Sequence, residues 1–302
     1  MGIGVVGAGT FNVLKRNQEE IERRAGRGIA ITMVADLDVA RAQSIVGTDV
    51  QVVSDARAVI ANPEIDIVIE LIGGYGIAKT LVLEAIAAGK HVVTANKALL
   101  AVHGTEIFAA ASAKGVMVAF EAAVAGGIPI IKALREGLTA NRIQWIAGII
   151  NGTTNFILSE MRDKGLDFAV VLKEAQRLGY AEADPTFDIE GVDAAHKVTL
   201  MSAIAFGIPV QFDKAYVEGI TKLGAADIKY AEQLGYRIKL LGITKRRDAD
   251  AAKGTAAGVE LRVHPSLIPA KRLIANVEGA MNAVVVNGDA VGTTLYYGKG
   301  AG

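Results

Sequence analysis

Residues 65–72 read IDIVIELI and run straight into Gly73 and Gly74. Such a near-continuous apolar run is what a parallel strand covered on both faces requires, and the glycine pair ends it. C-terminal to it, residues 77–88 form an Ala- and Leu-rich helix stopped by Gly89. KHVVTA (90–95), a helix over about 98–113 and GVMVAF (115–120) follow in the same rhythm. N-terminal to it, GIAITMVAD (28–36) is a short β-branched run ending in an acid, and Asp38 caps a helix over 38–46. Residues 50–53 are a second short strand, and Ser54 and Asp55 offer caps for a helix that Asn62 and Pro63 terminate. Strands alternating with helices at this spacing predict βαβ units in one parallel, doubly wound sheet with right-handed crossovers.

The rhythm changes at residue 121. A Gly-rich stretch leads into a helix at 128–137, a strand at 142–150 and a mainly helical block to about 245. Residues 245–258 read as an exposed loop, and strand-like segments return over 259–297. The expected division is therefore a doubly wound domain over 1–120 and an α+β domain over 121–302. There are no internal repeats or heptads.

Composition narrows the chemistry. The 302 residues contain no cysteine, which excludes disulfides, thiolate metal sites and cysteine nucleophiles. Basic and acidic residues balance at 32 each, so nothing marks a nucleic-acid partner, which would need a basic surface. No apolar run approaches the roughly 18 residues of a bilayer span, and no signal segment opens the chain. The expectation is a cytoplasmic enzyme acting on a small molecule. His91, His103, His196 and His264 show no metal-ligand spacing.

Gly2, Gly4 and Gly7 match G-x-G-x-x-G, with Ala8 to Arg16 continuing as helix. In a Rossmann-type fold such glycines allow a tight turn, close approach to a pyrophosphate and close helix–strand packing. Only Met1 precedes Gly2. Either the first strand is missing or the register Gly4, Gly7, Gly9 applies, and the missing strand is favoured. Asp36 reads as the acceptor for the adenosine ribose hydroxyls, with a helix-cap role as the alternative. Ala35 before it brings no cation for a 2′-phosphate, although Arg41 is near in sequence, so NAD is favoured over NADP.

Three further segments stand out. Lys97, in VVTANKAL, falls just past a strand's C-terminal end, the edge where open α/β sheets hold ligands, although alone it reads equally as a sheet-edge cap. Asp193 and Lys197 are four apart in GVDAAHKVTLMSAIAFG and project from one helical face, which by spacing alone is an ordinary surface ion pair. Asn151-Gly152-Thr153-Thr154 is a strand-to-helix turn with a threonine cap, and Trp145 in the strand before it belongs to a core or an interface.

Taken together, the TANKAL segment, EAAVAGGIP (121–129), NGTTN (151–155) and GYAEADP (179–185) resemble homoserine dehydrogenase in order and over essentially the whole chain. The resemblance implies NAD- or NADP-dependent interconversion of L-aspartate 4-semialdehyde and L-homoserine, in threonine and methionine biosynthesis, by a homodimer or homotetramer. It implies Lys197 as proton donor to the carbonyl oxygen and Lys97 as the second active-site lysine. It places Glu182, Asp188 and Asp193 at the substrate's amino group. Ile3, Val5, Val6, Gly179 and Gly302 join Gly2, Gly4, Gly7, Asp36 and Lys97 as cofactor contacts. Glu121, Val124, Gly126 and Ile128 match a loop that holds a sodium ion, largely by backbone carbonyls. Family members usually have a strand before the fingerprint, continue into a final helix, and many carry a regulatory ACT domain. The chemistry of the residues agrees, because an acidic cluster over 182–193 suits an ammonium and a lysine suits proton transfer to an aldehyde oxygen. A phosphorylating semialdehyde dehydrogenase needs a thiolate and is rejected by the absence of cysteine. Another two-domain NAD(P) oxidoreductase with a sheet-edge lysine, or an inactive cofactor-binding subunit, are the remaining alternatives.

Overall fold

Met1 and Gly2 lie between two short parallel ladders and bond to both. In the computed structural model, which describes residues 1–249, 252 and 256–300, the Met1 nitrogen donates to the Ile69 carbonyl at 2.7 Å. The Leu71 amide donates to the Met1 carbonyl, and on the other side the Gly2 amide donates to the Ala35 carbonyl, each at 2.9 Å. These two residues are thus paired on both sides, between the two ladders, with no strand assigned to them.

They join two parallel ladders in the first of two compact units, Met1–Phe120. One ladder pairs β1 (Met33–Ala35) with β2 (Gln51–Val53), and the other runs β3 (Ile67–Glu70), β4 (His91–Thr94), β5 (Val118–Ala119). The helices are α1 (Val5–Arg16), α2 (Gln18–Ala25), α3 (Val39–Val46), α4 (Ala56–Ala61), α5 (Gly76–Ala87) and α6 (Lys97–Lys114). Ile3, Phe11, Val34, Ala42, Val46 and Val50 form a core between α1, α3 and the β1 ladder.

Several local expectations need correction. Helix α1 starts at Val5, not Ala8, so Val5 and Val6 form its first turn and are 90% and 55% exposed. The following QEEIERRA is a second helix, made of strong helix formers and closed by Gly26 in the left-handed region. The run at 65–72 is not covered throughout: Ile67 is 46% exposed, whereas Glu70 is fully buried.

The second unit, Glu121–Gly302, is built on a six-stranded mixed sheet. After a 3₁₀ turn at Glu121–Ala123 come α7 (Ile130–Lys132), β6 (Ile143–Ile149), α8 (Gly152–Lys164), α9 (Phe168–Arg177), α10 (Thr186–Ile189) and α11 (Val192–Phe206). Then follow β7 (Tyr216–Val217), α12 (Ala225–Gln233), β8 (Tyr236–Arg247), β9 (Gly258–Pro269), β10 (Met281–Gly288) and β11 (Gly292–Lys299). The strand order is β11-β10-β6-β8-β9-β7, antiparallel except for the β7–β9 pair. The helix expected at 128–137 is α-helical only over α7 and widens to π geometry over Ala133–Gly137. The helical block ends at Gln233, because 236–247 is a strand. Lys245–Arg247 and Gly258 belong to strands rather than to the expected exposed loop, part of which lies outside the described residues.

Helix α11 packs on one face of this sheet, where the Ser202 and Thr244 hydroxyls share a hydrogen bond of 2.8 Å. On the opposite face, register places Leu295, Val285, Ala147 and Ile243 in one row, with Trp145 and Tyr297 beside it. The short helix Leu273–Asn276 covers one end of that face through Ala275, against Ile149, Leu241 and Ala283. Trp145, Ala147, Ile243 and Leu295 remain half-buried, and Tyr297 is 57% exposed.

Candidate active site

The first turn of the chain divides its work among three glycines. Gly2 has φ +84°, and a Cβ there would lie 2.6 Å from the Leu71 carbonyl oxygen, so the tight turn admits no side chain. A Cβ on Gly7 would collide with the Gly2 carbonyl, so α1 lies directly against the strand end. Gly4, the N-cap of α1, has open space where its side chain would be. Turn, packing and open cap at the positive end of a helix are the three requirements of a pyrophosphate site. Gly9 also faces open space, so the register Gly4, Gly7, Gly9 has no such basis.

Asp36 follows β1 and closes this turn. Its Oδ2 accepts from the Ile3 amide at 2.8 Å and its Oδ1 from the Asp38 amide at 3.0 Å. The Ile3 hydrogen bond holds the carboxyl below its ordinary range, against the opposing effect of burial. The cap of α3 is Asp38, which accepts from the Arg41 amide, so the helix-cap alternative for Asp36 does not hold. The Arg41 guanidinium reaches back to the Ile3 carbonyl at 3.5 Å.

Lys97 is the first residue of α6 and is half-buried. Asn96 caps the helix by accepting from the Leu99 amide at 3.1 Å, and its amide nitrogen donates to the Gly74 carbonyl. Behind Asn96 lies a group the sequence reading missed. Glu70 accepts from the Thr94 hydroxyl at 2.7 Å and from the Ile72 amide at 2.8 Å. The Thr94 oxygen in turn accepts from the Asn96 amide at 2.9 Å. A single acid inside an apolar run carries no periodic signal that would have found it.

In the second unit the structure gathers Asp193, Lys197, Asp188, Asn151 and Thr153. The Lys197 ammonium donates to Asp193 Oδ2 at 2.7 Å and to the Ile150 carbonyl at 2.8 Å. This is no surface pair, since the two side chains are 12% and 4% exposed. Asn151 Nδ2 donates to Asp188 at 2.7 Å and to Asp193 at 2.8 Å, and Thr153 donates to Asp188 at 3.3 Å. Burial pushes the Asp188 carboxyl up and the Asp193 charge adds to this, while the Asn151 and Thr153 hydrogen bonds oppose it. Asn151 also caps α8 by accepting from the Thr154 amide at 2.8 Å, so the cap is the asparagine and not a threonine. Next to Lys197, His196 is buried between the rings of Phe187 and Phe212.

The other expected site residues are placed as follows. Glu182 is exposed on the loop after α9, whose backbone is held by Gln176 donating to the Glu182 carbonyl at 3.1 Å. Gly179, at φ +79°, ends α9. Gly302 lies outside the described residues. In the 121–128 loop, Glu121 accepts from the Ile131 and Lys132 amides at 2.8 and 2.9 Å. Val124, Gly126 and Ile128 can offer only backbone carbonyls, and Ala125 between them takes a left-handed φ of 52°. Backbone carbonyls and a carboxylate are the kinds of donor a hard cation takes. Among the described residues no group of three or more His, Asp or Glu could hold a metal, and no helix is long and apolar enough to cross a membrane.

Comparisons with known proteins agree on one family. The family model "Homoserine dehydrogenase, NAD binding domain" matches residues 2–121, and the model "Homoserine dehydrogenase" matches residues 129–302. A homoserine dehydrogenase of Pseudomonas aeruginosa is 67% identical over 302 residues, which is all of this chain and 67% of that protein. One of Neisseria gonorrhoeae is 62% identical over the same span. The crystal structure of a homoserine dehydrogenase from Thiobacillus denitrificans superposes with a TM-score of 0.94 at 67% identity, covering all of this chain and 68% of that one. The chain thus spans about two thirds of the length of these relatives.

Proposed function

The chain belongs to the homoserine dehydrogenase family, an NAD(P)-dependent oxidoreductase acting on a CH–OH group, and on that premise we propose how its residues divide the reaction. Aspartate semialdehyde and homoserine both carry an ammonium and a carboxylate beside the reacting carbon. The nicotinamide, when bound, supplies or takes up the hydride. Lys197 gives a proton to the aldehyde oxygen and takes it back from the hydroxyl in reverse. Lysine has three N–H donors; Asp193 and the Ile150 carbonyl engage two and fix the third in direction. Asp188, Asp193 and Glu182 receive the substrate ammonium, with Asn151 and Thr153 holding the first of these in place. Lys97 holds the substrate or relays the proton.

The dinucleotide rests on Gly2, Gly4, Gly7, Ile3, Val5 and Val6 at the start of α1, with Gly179 and Gly302 as further contacts. Asp36 favours NAD, because an ionised carboxylate repels a 2′-phosphate. Glu121, Val124, Gly126 and Ile128 hold the sodium ion. The enzyme is a homodimer, supported by the uncovered apolar face around Trp145 and Leu295.

The observation that carries the catalytic reading is the buried ion pair between Asp193 and Lys197. Removing a general acid costs about 10²–10⁴ in rate. Lys197→Ala is therefore expected to lower kcat by that factor and leave the cofactor dissociation constant unchanged, whereas Glu182→Ala raises KM for homoserine. Steady-state kinetics beside a cofactor titration decide it. If Lys197→Ala keeps more than about a tenth of wild-type kcat, the proton donor is another residue.

A further inference from the structure

Glu70 is a carboxylate where the sheet needs only packing. It ends β3, the strand paired with Met1, so it stands at the point where strand order reverses and where doubly wound sheets hold their ligand. It is 0% exposed and Thr94 only 1%. Burying a carboxylate opposes folding unless several hydrogen bonds compensate, and a valine would fill the position without that demand. The donors come from the two loops that leave the sheet at this edge. From the loop after β3, the Ile72 and Gly73 amides donate to Oε1 at 2.8 and 3.4 Å. From the end of β4, the Thr94 hydroxyl donates to Oε2 while its oxygen accepts from the Asn96 amide. Asn96 closes the circuit, capping α6 with its oxygen and donating from its nitrogen to Gly74 in the first loop. Lys97 is the next residue.

We propose that Glu70 and Thr94 are positioning residues for the reaction: together they lock the start of α6 to the Ile72–Gly74 loop and so fix where Lys97 presents its ammonium. The polarity is one-way, since every donor points toward the carboxylate. A neutral amide at position 70 would face donors on both sides and could accept from only one. The inference rests on the role given to Lys97 above.

The test is a double-mutant cycle with a rescue. Thr94→Val keeps the shape and removes the hydroxyl, Thr94→Ser restores it, and each is combined with Lys97→Ala. Thr94→Val is expected to lower kcat/KM for homoserine at least about tenfold with the cofactor dissociation constant little changed, and Thr94→Ser to return within about threefold of wild type. Thr94→Val with Lys97→Ala should be no slower than about threefold below Lys97→Ala alone, because the hydroxyl acts only through that lysine. A purely structural role would multiply the two losses and lower cofactor binding with them. Should Thr94→Val not fold, Asn96→Asp, which keeps the cap and loses the bond to Gly74, enters the same cycle. The proposal is overturned by multiplying losses, or by a folded variant that keeps more than about half of kcat/KM. If Lys97→Ala is itself neutral, the assignment of that lysine fails and this proposal with it, and the result for Lys197 stands apart.

Discussion

The proposed preference for NAD rests on one carboxylate. Asp36 is held ionised chiefly by the Ile3 amide at the end of the turn, with the Arg41 guanidinium adding to the effect. Asp36→Asn removes the charge and retains an acceptor for Ile3. It is expected to shift the ratio of kcat/KM values toward NADP by about tenfold or more, read with both cofactors in parallel. An unmoved ratio would reduce Asp36 to a brace for the turn. At this scale the sequence was legible where a motif fixes the backbone and blind where side chains meet across it. The spacing of Gly2, Gly4 and Gly7 carried three distinct steric roles, and the four-residue spacing of Asp193 and Lys197 carried their contact. It did not carry their burial, which depends on α8 and on Asn151, about forty residues upstream. Two acids, Asp36 and Asp38, were both eligible caps, and only the path of the chain assigns the bond to the second.

At the scale of elements, the strand β8 falls largely inside the block read as mainly helical, although Tyr236, Ile238 and Leu240 alternate with Arg237 and Lys239. Its place is central, between β6 and β9 with α11 packed on one side, and its partner β6 lies about a hundred residues earlier, so only the folded sheet identifies it. It also brings Lys239 into the interior at 1% exposure, where the ammonium donates to Asn155 at 3.0 Å and to the Val277 carbonyl at 2.6 Å. Burial lowers this lysine to about 8, against the attraction of Glu278. Glu278 accepts from Arg162 at 2.8 Å and from Arg237 at 2.6 Å. Burial raises the Glu278 carboxyl, but the Arg162 hydrogen bond and the Lys239 charge outweigh it and hold it at about 2. The two partners thus act in opposite senses. Charged Lys239 opposes folding below about pH 8, an effect that fades as pH rises toward its ordinary 10.5. Ionised Glu278 stabilises above its ordinary 4.5, and that stabilisation is lost as pH falls toward 2. Glu278→Gln should therefore destabilise the second unit by about 1–3 kcal/mol at pH 7, discounted for the partial exposure of the carboxylate. The deficit should narrow as pH drops below 4.5. Urea unfolding followed by Trp145 emission reads this unit alone, since the chain has one tryptophan. A deficit that stays constant from pH 7 to pH 3 would sink the assignment.

For the whole molecule, the consequential surface is the sheet face that Leu273–Asn276 leaves bare. Leu295, Val285, Ala147 and Ile243 in register, with Trp145 beside the row, make an apolar strip, the kind of face a second copy covers. The wild-type protein is expected to sediment as a dimer at micromolar concentration. Leu295→Glu should halve the mass and move Trp145 emission to the red, and a wild-type monomer would remove the reason for that strip. The alternating rhythm was legible from residue 28 to 120, because each parallel strand is short and each helix carries its own stop, whereas α2 went unread. The sheet of the second unit was not legible, since β6 pairs with strands about a hundred and more residues later. The same long reach governs the order in which the enzyme can come into being. Asn155 donates to the carbonyls of Val277, Gly279 and Met281, which lie 122, 124 and 126 residues further along the chain. A ribosome that has joined about 200 residues has already incorporated both lysines and every acid proposed for the substrate. Helix α8, which carries Asn151, still lacks its anchor then, so the catalytic groups are synthesised early and put to use only when the last two strands emerge.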